Sequence, residues 1–246
     1  MFSGCTSLTI VPALNLSSVT ASNNAATIFS TCSSLKSAPL SGHSATIAYA
    51  SCSLNKAELE KIFLNIGAGA SRTLVISTNP GILPAAVNKT SIASTAGSTT
   101  LPMANTSSIE VGMQVTGTGT PITTGRAVTF TDAGDLVNLT AHGLSDDDEV
   151  SFSVITTTTG IAVNIIYYVI SAATDNFQLS DTIGGAAKAL TTNGSGTIRY
   201  NTTVVTINTN TSLIMSRPMA TTVSSTKAFR QLGTYKALMK GWVVTG

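Results

Sequence analysis

Three cysteines, two histidines and one acidic run are the residues of this chain whose types could do chemistry. Cys5, Cys32 and Cys52 lie 27 and 20 residues apart. A zinc site takes its cysteines in pairs about two to four residues apart, and a disulfide would leave one cysteine over. The expectation is three buried free thiols, since an unpaired cysteine behaves as a small hydrophobe. His43 and His142 stand about a hundred residues apart, outside any metal motif and away from any G-x-S-x-G nucleophile. His142, in "AHGL", is expected to fix a turn rather than to carry a proton. The run "DDDE" (146–149) lacks the glycine and closing glutamate of the helical calcium loop, so a solvated turn between strands is expected. Carboxylates for glycoside cleavage could be drawn from Asp132, Asp135 or Glu149. The sequence places no two of them at the required ~5–10 Å, and no aromatic-rich sugar groove accompanies them. "GTGTPITTG" and "GGAAKALTTNGSG" are neither Walker loops nor Rossmann turns, and their glycines are read as hairpin turns. "NKT", "NLT", "NGS" and "NTT" are glycosylation sequons, which matter only on a eukaryotic secretory route. No catalytic, cofactor-binding or metal-ligating residue is assigned, and no enzyme activity or cofactor is expected.

The elements that would position side chains are mainly strands. Of 246 residues, 43% are apolar, 5% aromatic and 10% charged, and about seventy are Thr or Ser. Branched Cβ atoms at this density suit a pleated surface. The formal charge of +2 is spread thinly, without the clustered cations that a nucleic-acid groove needs. The longest apolar stretch, "GIAVNIIYYVI", is far short of the ~20 residues of a membrane helix. The opening "MFSGCTSL" places small residues before a cysteine, as a lipoprotein cleavage box does. "MFSGCTSLTIVPALNLSSV" carries neither the charged start nor the roughly 7–15 apolar residues of such a signal, so a repeat is expected rather than an anchor.

That repeat is visible in "MFSGCTSLTIVPAL" (1–14) and "IFSTCSSLKSAPL" (28–40). Phe2 matches Phe29, Cys5 matches Cys32, Leu8 matches Leu35 and Pro12 matches Pro39, all at an offset of 27. In "AYASCSL", Tyr49 and Cys52 take the Phe and Cys places. Offsets of about 20–29 residues are the period of leucine-rich repeats. The Phe-x-x-Cys-x-x-Leu frame resembles the BspA-like leucine-rich repeat, a resemblance that implies Cys and Leu pointing into a stack. In "SLNKAELEKIFLNIG", Leu59, Ile62, Phe63 and Ile66 form one apolar helical stripe. Asn55 with Glu58 is a capping pair, and Gly67 is a stop. "RTLVIS" reads as a strand ended by Asn79-Pro80-Gly81. The last residues, "GTYKALMKGWVVTG", read as a short helix stopped by Gly241 and a strand carrying Trp242, Val243 and Val244. They resemble the close of a phage leucine-rich-repeat domain, which implies that the intervening residues are an insertion.

The insertion is itself split. "AGSTTLPMANTSSIEVGMQVTGTGTP" (96–121) and "NTTVVTINTNTSLIMSRPM" (201–219) together resemble a small β-sandwich or barrel module of phage structural proteins. Between them, Val128/Phe130, Leu136/Leu139, Val150/Phe152/Val154, Tyr167/Val169 and Phe177/Leu179 fall largely at period two. "AHGL", "TTGIAVN", "YYVI" and "NFQLS" resemble a phage virion module that is sometimes named after the first catalytic-cysteine half-domain of ubiquitin-activating enzymes. No adenylation sequence accompanies it, and no cysteine follows Cys52. Of the adjacent pair Tyr167 and Tyr168, one is expected to face solvent.

The expected fold is therefore mainly β with some α: a leucine-rich-repeat domain (α/β) interrupted by nested small β-sandwich and β-barrel domains. The expected borders are 1–85 plus 230–246 for the repeat domain, 92–124 plus 199–228 for the inserted sandwich, and 125–198 for the nested barrel-like module. These resemblances imply a non-enzymatic virion structural protein of a tailed bacteriophage: a tail, baseplate, fibre or capsid-decoration subunit. Its expected partners are other virion proteins and further copies of itself. The alternative is a host-receptor-binding or cell-surface adhesion protein. Neither nucleic acid nor membrane insertion is expected.

Overall fold

The computed structural model describes residues 2–19, 26–69, 72–82, 86–231 and 233–245. The protein is mainly β, with 34% of residues in strands and 8% in helices. It divides into two compact units, residues 1–85 with 232–246, and residues 86–231.

The first unit begins with short strands β1 (Leu14–Asn15), β2 (Leu40–Ser41) and β3 (Ile47–Ala48), then helix α1 (Lys56–Asn65) and β4 (Thr73–Val75). Pairing is parallel, with Leu14 opposite Leu40 and Ile47 opposite Leu74. Each turn of chain therefore lies over the turn that follows it. The aromatic positions form a file: Phe2 stacks on Phe29 at 5.6 Å and Phe29 on Tyr49 at 5.2 Å. The thiols form a second file. Cys32 Sγ donates to the Phe2 carbonyl (2.8 Å) and Cys52 Sγ to the Phe29 carbonyl (3.0 Å). Cys32 and Cys52 are buried but Cys5 is exposed, which corrects the expectation of three buried thiols. In this geometry each buried thiol reaches back to the preceding turn.

A fourth turn follows that the cysteine pattern does not reveal. Ile76 continues the aromatic file and Asn79 the thiol file, each 27 residues after Tyr49 and Cys52. Asn79 is buried. Its Nδ2 donates to the carbonyls of Tyr49 (2.7 Å) and Ile76 (2.9 Å), and its Oδ1 accepts from Leu54 N–H (3.1 Å). The corner of each turn is left-handed: Gly4, Thr31, Ser51 and Thr78 have φ of 74°, 60°, 57° and 60°. Their N–H groups continue the ladder, with Gly4 donating to Ser30, Thr31 to Ala50 and Ser51 to Ser77.

Helix α1 buries Leu59, Ile62 and Phe63 against these turns, and Ile66, its C-cap, is buried with them. Asn55 Oδ1 accepts from Glu58 N–H at 3.0 Å, the N-cap that the sequence suggests. The Glu58 carboxylate does not return to the cap; it accepts from Ser37 Oγ (2.8 Å) and Lys61 Nζ (2.6 Å). Gly67 is not a left-handed stop either. A Cβ there would lie 2.9 Å from the Gly42 carbonyl, so close backbone approach explains the glycine.

The second unit carries β5 (Val87–Ser94), β6 (Thr100–Pro102) and β7 (Gln114–Thr116). Six strands follow: β8 (Arg126–Thr131), β9 (Leu136–Asn138), β10 (Glu149–Thr156), β11 (Tyr167–Ile170), β12 (Asn176–Ser180) and β13 (Gly194–Tyr200). Then come β14 (Val204–Asn208), β15 (Ser212–Met215) and β16 (Val223–Arg230). Two three-stranded sheets, β5-β16-β7 and β14-β15-β6, enclose a core that includes Leu101, Val115, Val204, Leu213 and Phe229. Strands β8 to β13 close an antiparallel barrel in the order β10-β11-β12-β9-β8-β13, with its own core around Phe130, Phe152, Phe177, Ile198 and Tyr200. Two of the residues at period two do not face the core. The β10–β13 register shifts between Phe152 and Val154, so Val154 lands outside at 50% exposure. In β9 it is Val137 rather than Leu136 that is buried. Tyr167 is buried and Tyr168 is half-buried.

Where β10 and β13 stop pairing, threonines take over. Thr157 Oγ1 donates to the Asn193 carbonyl (3.1 Å), Thr158 Oγ1 to Thr192 (2.7 Å), and Thr192 Oγ1 back to Thr157 (2.7 Å). The run "TTTT" thus extends a ladder by side chains after the backbone has diverged.

The chain then returns to the first unit through α2 (Tyr235–Met239), a left-handed Gly241 (φ 83°) and β17 (Val243–Thr245), which pairs in parallel with β4. Trp242 precedes that strand rather than lying in it. It is buried, with Nε1 donating to the Gly67 carbonyl at 2.8 Å. Lys240 Nζ donates to the carbonyls of Leu64 (2.5 Å) and Ile66 (2.7 Å), serving groups that the end of α1 leaves unpaired.

Candidate functional site

A groove of about 900 Å3 runs along β5 and β6, edge strands of the two facing sheets. Its apolar floor includes Ile92 and Met103, both buried. Its walls are amides, hydroxyls and one cation: Asn88, Lys89, Thr90 and Ser91 from β5, Asn105 beyond β6, and Asn210 and Thr211 from the β14–β15 hairpin. Lys89 Nζ lies 3.3 Å from Asn105 Oδ1 and 3.4 Å from Ser107 Oγ. No carboxylate pairs with it among the described residues. On the β5 side the strand bulges. Ile92 and Lys89 face Ser225 and Lys227 across the shift, and Ser91 is left-handed (φ 55°).

The amide orientations follow from main-chain donors. Asn105 Oδ1 accepts from Ser107 N–H (2.9 Å) and Ser107 Oγ (2.7 Å), besides facing Lys89. Asn210 Oδ1 accepts from Thr106 N–H (3.4 Å). The Asn105 oxygen is therefore occupied, and the Asn210 oxygen holds one long bond. Nothing in the sequence marked these residues. Positions 89, 105 and 210 meet only through strand register, and neutral amides carry no periodic signal.

The residues that the sequence offered for chemistry are dispersed or structurally engaged. Asp132 and Asp135 share the β8–β9 turn, where Asp132 Oδ1 accepts from Ala133 N–H and Asp135 Oδ1 from Leu190 N–H. Glu149 begins β10, while the far end of that strand, Thr156, lies opposite Ser195, which also faces Thr129 of β8. A strand rises about 3.3 Å per residue, so Glu149 sits at the other end of the barrel from the two aspartates. Asp146, Asp147 and Asp148 are not merely solvated. They accept from the N–H groups of Ala172, Gly184 and Ser145, respectively. Asp148 also takes a 2.5 Å bond from Arg217 Nη2, joining the barrel to the β15–β16 loop of the sandwich.

His142 is buried, and its Nδ1 accepts from Leu144 N–H at 2.9 Å across the left-handed Gly143. Its ring meets Phe177 edge-on. Burial lowers its pKa despite nearby backbone carbonyls. His43 is fully buried, 6.2 Å from the Trp242 ring, and both ring nitrogens are without hydrogen-bond partners. Burial lowers its pKa as well. Lys227 is buried in β16, donating from Nζ to the Thr118 carbonyl and Ser225 Oγ, both at 2.6 Å. No group of three or more His, Cys, Asp or Glu side chains among the described residues is arranged to hold a metal ion.

Compared with known proteins, the chain matches no family model, no curated protein and no solved structure.

Proposed function

We propose that this chain is a non-enzymatic structural subunit of a tailed-bacteriophage virion, acting as a tail, baseplate, fibre or capsid-decoration protein. In this reading the first unit is a BspA-like leucine-rich-repeat domain, interrupted by a sandwich that is interrupted in turn by the barrel. The observation that carries the proposal is this nesting. A closed barrel built from the segment that resembles a phage virion module sits between two halves of a sandwich. Along the chain, the sandwich segments fall between two strands that pair in one parallel ladder, β4 and β17. Each level has a separate hydrophobic core. Serial insertion of small modules, each with its own core, suits a part that transmits position rather than turns over substrate. Its partners are other virion proteins and further copies of the chain, in a particle assembled in the bacterial cytoplasm.

Quantitative mass spectrometry of gradient-purified particles tests this. A fixed copy number per particle, matching a ring, a fibre trimer or the capsid lattice, is the expected result. Absence from the particle would refute it. A second reading, attachment to a host cell surface, is favoured by the polar groove between β5 and β6.

A further inference from the structure

We infer that the β5–β6 groove binds an acidic saccharide, an oligosaccharide carrying carboxylate groups, with Lys89 as its charge partner. The inference deepens the attachment reading and is independent of particle assembly. The first argument is a surplus of donors. The side-chain oxygen of Asn105 is consumed within the protein by Ser107, and Asn210 Oδ1 accepts from Thr106 N–H, so the amide hydrogens of Asn105 are the part that remains for a ligand. Among the described residues, the Lys89 ammonium is held by two neutral oxygens at 3.3 and 3.4 Å. Such long contacts leave it available for a stronger, charge-assisted bond. A ligand here must supply acceptors, and one of them should be anionic.

The second argument excludes a peptide. An extended peptide would add to the free edge of β5 through main-chain pairing. The bulge at Ser91 interrupts that edge, and Lys89 stands on it, two devices that block strand addition. What remains is a ligand recognised by side chains, rich in oxygen and able to lie over the shallow apolar floor of Ile92 and Met103. At about 900 Å3 the groove falls within the ~300–1,000 Å3 of small-molecule sites. A chain of sugar rings with ring carboxylates meets these requirements.

The test is an NMR titration of the full ¹⁵N-labelled chain, reading the side-chain amide signals of Asn88, Asn105 and Asn210. The probes are a galacturonic acid trimer, the neutral galactose trimer and inorganic phosphate. Saturable shifts of those amides with the acidic trimer are expected, with affinity falling roughly tenfold or more in Lys89→Gln and kept in Lys89→Arg. Equal binding of the neutral trimer, or unchanged affinity in Lys89→Gln, would overturn the role of charge. Phosphate binding as tightly as the trimer would overturn the saccharide. No shift with any probe, in a chain whose other signals show it folded, would overturn the site. A chain found in virions but unresponsive to the acidic trimer would lose this inference alone; the reverse result would spare it.

Discussion

Replacing Asn79 tests whether four turns, rather than three, form the ladder of the first unit. Its amide is buried and serves two main-chain groups in other parts of the stack, the Tyr49 carbonyl and the Leu54 N–H. Asn79→Ala leaves both without a partner. Each buried unsatisfied group costs about 1–3 kcal/mol, so the expected loss is about 2–6 kcal/mol. That is a large share of the ~5–15 kcal/mol that holds a domain together. Asn79→Cys is the informative companion. Cys52, one turn earlier, donates its thiol to the equivalent carbonyl of Phe29. A cysteine at 79 should therefore recover the bond to Tyr49 while losing those to Ile76 and Leu54, costing less than the alanine by about 1–2 kcal/mol. Urea unfolding followed by fluorescence of Trp242, the single tryptophan, reports on this unit. In thermal melts each kcal/mol should move the midpoint by roughly 4–8 °C. The reasoning fails if Asn79→Ala stays within about 0.5 kcal/mol of the parent. It also fails if Asn79→Cys is no better than Asn79→Ala.

The left-handed corners give a matched pair: Thr31→Gly should stabilise the first unit by about 0.5–1 kcal/mol, and Gly4→Ala should destabilise it by about 1 kcal/mol, both read by the same unfolding assay. His43 has a lowered folded-state pKa, so the unfolded chain takes up its proton first. Stability should be full above about pH 6.5 and decline as pH falls through the folded value, by at most about 1.4 kcal/mol per unit for this group. His43→Phe, which removes the titrating group, should flatten that slope in Trp242-monitored unfolding between pH 7.5 and pH 5.0; an unchanged slope would assign the acid sensitivity to other groups. For Arg217 and Asp148, whose side chains are 20% and 23% exposed, a double-mutant cycle with Arg217→Ala and Asp148→Asn should give a coupling of about 1–3 kcal/mol. Thermal melts by circular dichroism measure it, and additive effects would show that the barrel and sandwich are not joined there.

Much of the local structure was legible because one residue type did one job. Asn55 capped α1, the stripe from Leu59 to Ile66 faced inward, and Phe2, Phe29 and Tyr49 announced a stack by their spacing. The fourth turn was hidden because Asn79 performs with an amide what Cys52 performs with a thiol; the geometry repeats while the chemistry changes. Val154 was misplaced because a single extra residue in β10 reverses every face beyond it, and alternation cannot show where a bulge falls. The acidic run looked solvated because sequence does not reveal which N–H groups will converge on it. The groove was the least legible feature of all. Lys89, Asn105 and Asn210 are ordinary surface residues until three separate pairings bring them to one place.

The closure of the barrel has a consequence for the sandwich around it. Arg126 and Ile198, near its entrance and exit, are partners in the β8–β13 ladder. Immediately outside, Gln114 bridges Thr203, and Val115 N–H donates to the Thr202 carbonyl. The ends of the inserted segment are thus already side by side, held by bonds on both sides of the junction. To the sandwich, the whole barrel is one hairpin loop. Such a loop can be exchanged, shortened or removed without asking its host to refold, so the junction is a socket into which selection, or an engineer, can fit another module.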